Sequence, residues 1–109
     1  MYPARYISRM IFFERSTSFS KWLKSLKDKT GQQRIVARID AAEEGNLGDC
    51  QPVGGGVFEM RIHYGPGYRI YLTRREEVIY LLLIGGDKST QTRDIIQAKD
   101  MAKNLGARK

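Results

Sequence analysis

The sequence predicts an α+β fold: a mainly antiparallel sheet, with two early helices packed on one face and a third helix at the C-terminus. Apolar residues recur with helical spacing before residue 45 and after residue 88, whereas residues 57–73 alternate between apolar and polar side chains. The helical segments flank the strands and do not alternate with them. This order favours helices laid against an antiparallel sheet.

The first third of the chain predicts a strand and two helices. Residues 6–13, YISRMIFF, are rich in β-branched and aromatic side chains and predict the first strand. Residues 16–18 offer N-cap candidates for the first helix. Gly31 is expected to interrupt the helical run, and a second helix is expected to end near Gly45. The apolar stripe of the first helix comprises Phe19, Trp22, Leu23 and Leu26.

The alternating residues predict a hairpin whose register decides where two arginines lie. Residues 57–63 and 68–73 are the two strands, joined at 64–67. If paired positions sum to an even number, Arg61 lies opposite Arg69 on one face, whereas an odd sum puts them on opposite faces. The alternation requires the even sum. Upstream, residues 45–56 predict a loop or weak strand.

Glycines punctuate the remaining elements. Residues 54–56 are three consecutive glycines, which suit a mobile connection better than a phosphate cradle because no helix follows them directly. The apolar run 78–84 predicts a central strand covered on both faces, ended by Gly85 and Gly86. Asp87 is expected to cap the next turn. The last helix carries one apolar stripe: Ile95, Ala98, Ala102 and Leu105.

Composition limits the class of protein. A chain of 109 residues predicts one domain spanning 1–109. No apolar run is long enough for a membrane span, and no N-terminal signal pattern is present, so we expect a cytoplasmic protein. One cysteine and one histidine argue against a metal site, which usually needs three or four such ligands. We expect no metal and no cofactor.

The net charge of +7 is concentrated at the two ends of the chain. Residues 1–40 carry +6 and residues 88–109 carry +4, whereas the middle carries −3. A face formed by the basic ends would favour polyanions such as RNA, or an acidic protein segment. Arg61, Arg69 and Lys88 come from three neighbouring elements and suggest a phosphate-handling surface. The alternative is ordinary surface charge.

Read in order, these segments resemble the RelE/ParE superfamily of bacterial toxins. Within it, the sequence is most similar to the phage-derived, HigB-like branch of addiction-module killer proteins. The similarity extends over nearly the whole length. The segments that carry it are F-x-x-W-L-x-x-L-x-D at 19–28, G-N-x-G-D at 45–49, V-F-E-M-R at 57–61, G-Y-R-I at 67–70 and L-L-L-I-G-G-D-K-S-T-Q at 81–91.

The resemblance implies a toxin held inactive by a cognate antitoxin. RelE-like members cut messenger RNA at the ribosome, whereas ParE-like members inhibit gyrase on the same fold, so fold alone does not select the target. The family's active-site cations correspond to Arg61, Arg69 and Lys88. The C-terminal aromatic or histidine acid/base residue of many members is not evident after Leu105. We expect an endoribonuclease, with a gyrase inhibitor or a catalytically weak RNA-binding module as alternatives.

Metal-free RNA cleavage assigns a task to each cation. The 2′-hydroxyl attacks the adjacent phosphorus while a base, an acid and charge-stabilising cations assist. Arginine donates bidentately to phosphate, so Arg69 is assigned to the scissile phosphate and Arg61 to its stabilisation or to the flanking phosphate. Lys88 is a candidate proton donor or base. His63 is a candidate base, or else a half-exposed strand histidine.

Three further residues complete the expected site. Tyr71 shares the face of Arg69 and is expected to stack on a base, with packing as the alternative. Arg74 is expected to contact RNA as well. Glu59 can pair with either arginine and hold it in place without a catalytic task.

Overall fold

The computed structural model describes residues 11–76 and 79–107, with side chains as far as residue 105. The expected strand at 6–13 falls mostly outside these residues, and its described continuation is the first strand. A 3₁₀ turn, Lys88–Thr90, precedes the last helix. In chain order the elements are β1 (Phe12–Arg15), α1 (Thr17–Ser25), α2 (Lys29–Glu43), β2 (Cys50–Gly54), β3 (Val57–Ile62), β4 (Tyr68–Arg74), β5 (Ile79–Gly86) and α3 (Gln91–Ala107).

The strands form one five-stranded sheet in the order β1-β5-β4-β3-β2. Strand β1 runs parallel to β5, and every other neighbouring pair is antiparallel. The prediction of a mainly antiparallel sheet is therefore confirmed. Strand β5, the apolar run, lies between β1 and β4, and its segment 81–86 is buried throughout. Of the loop or weak strand expected at 45–56, residues 50–54 form a strand, β2, at the edge of the sheet.

The sheet has two differently covered faces. On the α1/α2 face, Met60, Ile70 and Leu82 pack with the two early helices, as predicted. On the α3 face, Tyr71 and Leu83 pack beneath the last helix. Since side chains alternate along each strand, β3 and β4 contribute to both cores. None of the described helices is long and apolar enough to cross a membrane.

Asp28 starts the second helix, and this corrects the role expected for Gly31. The Asp28 carboxylate accepts a hydrogen bond from the backbone N–H of Gly31 at 2.9 Å, which caps the first turn of α2. The helical run breaks after Ser25, before Gly31. A Cβ atom on Gly31 would lie 2.7 Å from the ring of Tyr68. Glycine is needed here for close packing, so the prediction of a break was wrong.

Gly85 and Gly86 are the last two residues of β5, so the strand ends at the glycines as predicted but includes them, beyond the predicted 78–84. Gly86 is paired with Arg69 in the ladder. A Cβ on Gly85 would lie 2.2 Å from the Trp22 ring, and one on Gly86 would lie 1.9 Å from the Asp94 carboxylate. The glycines therefore let the elements on both faces approach the strand closely, which local sequence does not reveal.

The glycine triplet at 54–56 connects β2 to β3: Gly54 is the last residue of β2, and Gly55 and Gly56 make a tight turn. All three residues have positive φ angles, between +62° and +93°, which only glycine adopts without strain. The aliphatic stem of Lys99 lies against Gly54 and Gly55. The carbonyl oxygen of Gly56 accepts a hydrogen bond from the Thr73 hydroxyl at 2.7 Å.

Candidate functional site

The hairpin of β3 and β4 places two arginines side by side on the α3 face. Arg61 is paired with Arg69, and Glu59 is paired with Tyr71, in the next position on the same face. The connection runs from 63 to 67, an odd number of residues. The even register predicted from the alternation is thus confirmed.

Glu59 is the centre of this site, and its side chain is fully buried. Its Oε1 accepts hydrogen bonds from Arg61 Nε at 2.9 Å and from Arg69 Nη1 at 3.2 Å. Its Oε2 accepts from the Tyr71 hydroxyl and from Gln91 Nε2, both at 2.9 Å. A carboxylate offers about four lone-pair positions. Four donors occupy them, and the buried charge is satisfied.

The electrostatics of the cluster favour the ionised form of Glu59. Burial alone would raise the pKa of this carboxyl, but the hydrogen bonds from Arg61, Gln91 and Tyr71, with the charge of Arg69, lower it below its ordinary value. The hydrogen bond to Glu59 raises the pKa of Arg61 in turn. Glu59 therefore orients donors and has no lone pair left with which to remove a proton.

The two arginines differ in exposure. The Arg61 side chain is 35% exposed and that of Arg69 is 11% exposed. Arg61 uses Nε for Glu59, which leaves its terminal nitrogens without a partner among the described residues. The Nε of Arg69 is buried and has no hydrogen-bond partner in the part of the chain that the structure covers. The terminal nitrogens of Arg61 are thus the donors of the pair that an anion reaches most readily.

Gln91 connects the last helix to the site, and sequence reasoning missed it. It is the first residue of α3 and reaches Glu59 across the face of the sheet. Asp87 caps the preceding turn by accepting from the N–H of Ser89 at 2.8 Å, as expected. Gln91 ends the last segment of the resemblance, but only long-range geometry shows its contact with Glu59.

Lys88 lies on the exposed turn that follows β5. Its backbone N–H donates to the carbonyl oxygen of Pro66 at 3.4 Å, so the turn is adjacent to the hairpin connection. Gly86, two residues earlier, is the ladder partner of Arg69. The backbone therefore brings Lys88 into the neighbourhood of the arginine pair.

His63 lies beyond the end of β3, at the margin of the site. Its side chain is 74% exposed, and Nε2 lies 2.7 Å from Asp49 Oδ2. This hydrogen bond is the main cause of a lowered pKa for the Asp49 carboxyl. His63 makes no described contact with Glu59, so the structure places it beside the arginine pair and not within it.

Two residues expected to contact RNA are placed unfavourably. Tyr71 is completely buried, and burial followed by the hydrogen bond to Glu59 raises the pKa of its hydroxyl well above the ordinary value. Its ring is not available for stacking. Arg74 lies at the far end of β4 from Arg69 and on the other face, with Nε donating to the carbonyl of Glu76 at 3.2 Å. The packing alternative fits Tyr71.

Relatives of this chain are found by sequence. Residues 21–105 match the family described as phage-derived protein Gp49-like (DUF891). The chain is also 46% identical over 96 residues to an uncharacterized protein of Haemophilus influenzae. That match covers 88% of this chain and 97% of the relative.

Solved structures reveal the same fold at low identity. A mutant of the E. coli toxin RelE in the free state matches with a TM-score of 0.62 and 13% identity, covering 78% of this chain and 92% of RelE. The intact E. coli RelBE toxin–antitoxin complex gives a TM-score of 0.53 and 14% identity, covering 71% and 95%. The chain therefore belongs to the phage-derived Gp49-like family and has the fold of RelE.

Proposed function

We propose that this protein is the toxin of a toxin–antitoxin pair and cleaves messenger RNA at the ribosome without a metal. The observation that carries the proposal is the arginine pair. Arg61 and Arg69 are held side by side by one buried carboxylate and keep unused donors. The family match and the fold of RelE support a toxin.

The chemistry follows from the geometry of the donors. Attack by a 2′-hydroxyl on phosphorus builds negative charge on the equatorial oxygens, and prearranged guanidinium groups stabilise that charge. Glu59 fixes Arg61 and Arg69 before substrate arrives, so little reorganisation accompanies the reaction. Planar forks also match phosphate oxygens better than flexible ammonium groups do.

The exposed fractions of the Arg61 and Arg69 side chains favour catalytic roles different from those that the sequence suggested. Arg61 is the more exposed of the two and is assigned here to the scissile phosphate, with Arg69 behind it as support. Lys88, on its exposed turn, is the candidate proton donor. His63 is the candidate base at the margin. Tyr71 and Glu59 are excluded from proton transfer because each uses its polar atoms in the buried cluster.

The proposed partners are a cognate antitoxin, the ribosome and message, in the cytoplasm. The solved RelBE structure is a toxin–antitoxin complex. A net charge of +7 suits an acidic antitoxin segment. Such a segment can inhibit by covering the cations or by displacing α3, which removes Gln91 from Glu59. A purified complex that cleaves ribosome-bound message as fast as free toxin would contradict both routes.

Substitution of Arg61 is the direct test. Arg61→Ala should lower cleavage of a translated message by about 10²–10³-fold, because one stabilising contact in the transition state is lost. Growth after induction and primer extension on the message provide the measurement. Arg75→Ala is the matched control, since Arg75 is an exposed arginine paired with Glu14 at 2.7 Å.

Folding must be checked alongside activity. Thermal melting should show that Arg61→Ala is folded but less stable, because Glu59 loses a donor that solvent only partly replaces, whereas Arg69→Ala removes a nearly buried partner of Glu59 and is expected to lose more stability. Undiminished cleavage by the folded Arg61→Ala variant would contradict the assignment of Arg61 to the scissile phosphate. If the unsubstituted protein inhibits gyrase and does not cleave RNA, the result would support the alternative function of a ParE-like gyrase inhibitor.

A further inference from the structure

A second basic feature lies where α2 meets the end of β3. It is a groove of ≈ 300 Å³ lined by Arg34, Ala37, Arg38, Ile62 and His63. Ala37 and Ile62 provide apolar surface, and the other three side chains are basic. The groove is not part of the Glu59 cluster.

Arg38 forms a fixed wall of this groove. One of its terminal nitrogens donates to the carbonyl oxygen of Arg61, and the other donates to that of Leu47 at 2.9 Å and of Asp49 at 3.4 Å. These bonds fasten α2 to β3 and to the loop before β2. Both terminal nitrogens of Arg38 are therefore committed to structure, and its Nε, which has no described partner, is buried, so the cation available to a ligand must come from elsewhere.

Arg34 is that cation. It is exposed, and its guanidinium carbon lies 4.5 Å from the centroid of the Tyr64 ring, which is a cation–π contact. Among the described residues, no carboxylate is paired with it. The stack holds a flat, positively charged surface at the mouth of the groove.

The groove lies at the end of β3, the strand that carries Arg61, but on the α1/α2 face of the sheet, whereas the arginine pair lies on the α3 face. The residue whose carbonyl accepts from Arg38 is Arg61 itself. Asp49, the acid at this margin, is already paired with His63 at 2.7 Å, and the charges of Arg61 and Arg38 also act on it. A chain bound at Arg61 would therefore reach the groove by passing around the end of β3, and the residues that line the groove include no acid.

We propose that this groove binds a nucleotide flanking the scissile phosphate, with its base stacked on Arg34 and its phosphate near His63. The inference rests on the proposed function. Single-stranded RNA is commonly bound by flat side chains that stack on bases beside a positive groove. An acidic peptide needs the charge but not the flat surface, so the stacked guanidinium favours a nucleotide.

Binding of a non-cleavable RNA tests the inference. A fluorescein-labelled 2′-O-methyl oligonucleotide lacks the attacking hydroxyl, so its affinity for the protein can be measured by anisotropy without turnover. Arg34→Ala should weaken binding by about 10-fold through lost stacking and charge, and should reduce the salt slope by about 0.7. Arg34→Lys should keep the salt slope but recover only part of the affinity.

Lys103→Ala is the matched control, because it removes one exposed charge from the face of the sheet opposite the groove, near the end of α3 that is remote from Gln91 and its contact with Glu59. Its affinity should stay above that of Arg34→Ala. Equal affinities for these two variants, or no binding by the unsubstituted protein, would contradict the proposal that the groove binds a nucleotide. So would a loss of antitoxin affinity in Arg34→Ala with RNA binding intact, which would assign the groove to an acidic protein segment. The Arg61→Ala cleavage assay decides separately on the proposed function.

Discussion

Glu59 and Asp49 each pair with a basic side chain near β3, yet their surroundings differ. The Asp49–His63 contact is the shorter, at 2.7 Å, against 2.9 Å for Glu59–Arg61. The Asp49 side chain is 32% exposed, whereas that of Glu59 is fully buried. Water can replace the first contact if it breaks, but it cannot reach the second.

The distance between the paired atoms therefore does not indicate which pair contributes more to stability. An exposed pair is screened by solvent and salt and contributes little. A buried carboxylate depends on every donor around it, because removing a partner leaves an uncompensated charge. We therefore expect the loss of stability on substitution to follow the burial of the acid and not the length of the contact.

Replacing Glu59 should have the largest effect. Glu59→Ala leaves Arg61 and Arg69 facing each other without their shared acceptor and should lower the free energy of unfolding by about 3–5 kcal/mol. Glu59→Gln keeps the shape and one acceptor oxygen and should cost less. Urea unfolding monitored by circular dichroism measures both. A Glu59→Ala protein as stable as the parent would break the comparison.

Removing one donor from the cluster should have a smaller effect. Tyr71→Phe deletes the hydroxyl that donates to Glu59 at 2.9 Å and should cost about 1–3 kcal/mol, because a buried acceptor loses its partner. The same urea titration applies. Tyr80→Phe makes the identical chemical change in a half-buried tyrosine outside the cluster. Equal losses for the two variants would show that the Glu59 bond adds nothing.

The lowered pKa of Glu59 predicts a pH dependence. The stabilisation that comes from the ionised carboxylate is fully present above the ordinary value of 4.5 and is lost as pH falls through the lower value in the folded protein. The urea midpoint should decline in that acidic range. Glu59→Gln cannot titrate, so its midpoint should decline less steeply. Parallel declines would assign the acid sensitivity to other carboxyls.

Disrupting the exposed pair should have the smallest effect. Asp49→Asn removes the charge next to His63 while keeping a hydrogen-bonding side chain. We expect no measurable change in the urea midpoint, at low or at high salt. A loss as large as that of Tyr71→Phe would show that burial is the wrong criterion.

The sequence was enough to predict that Arg61 and Arg69 lie on the same face of the sheet, because the alternation of side chains along a strand is local and has a fixed period of two. The contact from Gln91 to Glu59 spans separate elements, and no local period reports it. Gly85 illustrates the same limit. Glycine is required at this position because the Trp22 ring, from a helix distant in sequence, packs directly against it. Tyr71 was assigned to the correct face, but the pattern could not show that α3 covers it.

The sheet order has a consequence for synthesis. Ser16, at the start of α1, donates its hydroxyl hydrogen bond to Leu83, 67 positions later, and β1 finds its only described neighbour in β5. Because these contacts are distant in sequence, β1 and α1 can form them only after β5 has left the ribosome. The hydrogen bond from Gln91 to Glu59 likewise forms only after most of the chain has been translated, although the hairpin that pairs Arg61 with Arg69 can form earlier. Translation would thereby leave an interval in which the two arginines are paired but Glu59 lacks its donor from the last helix.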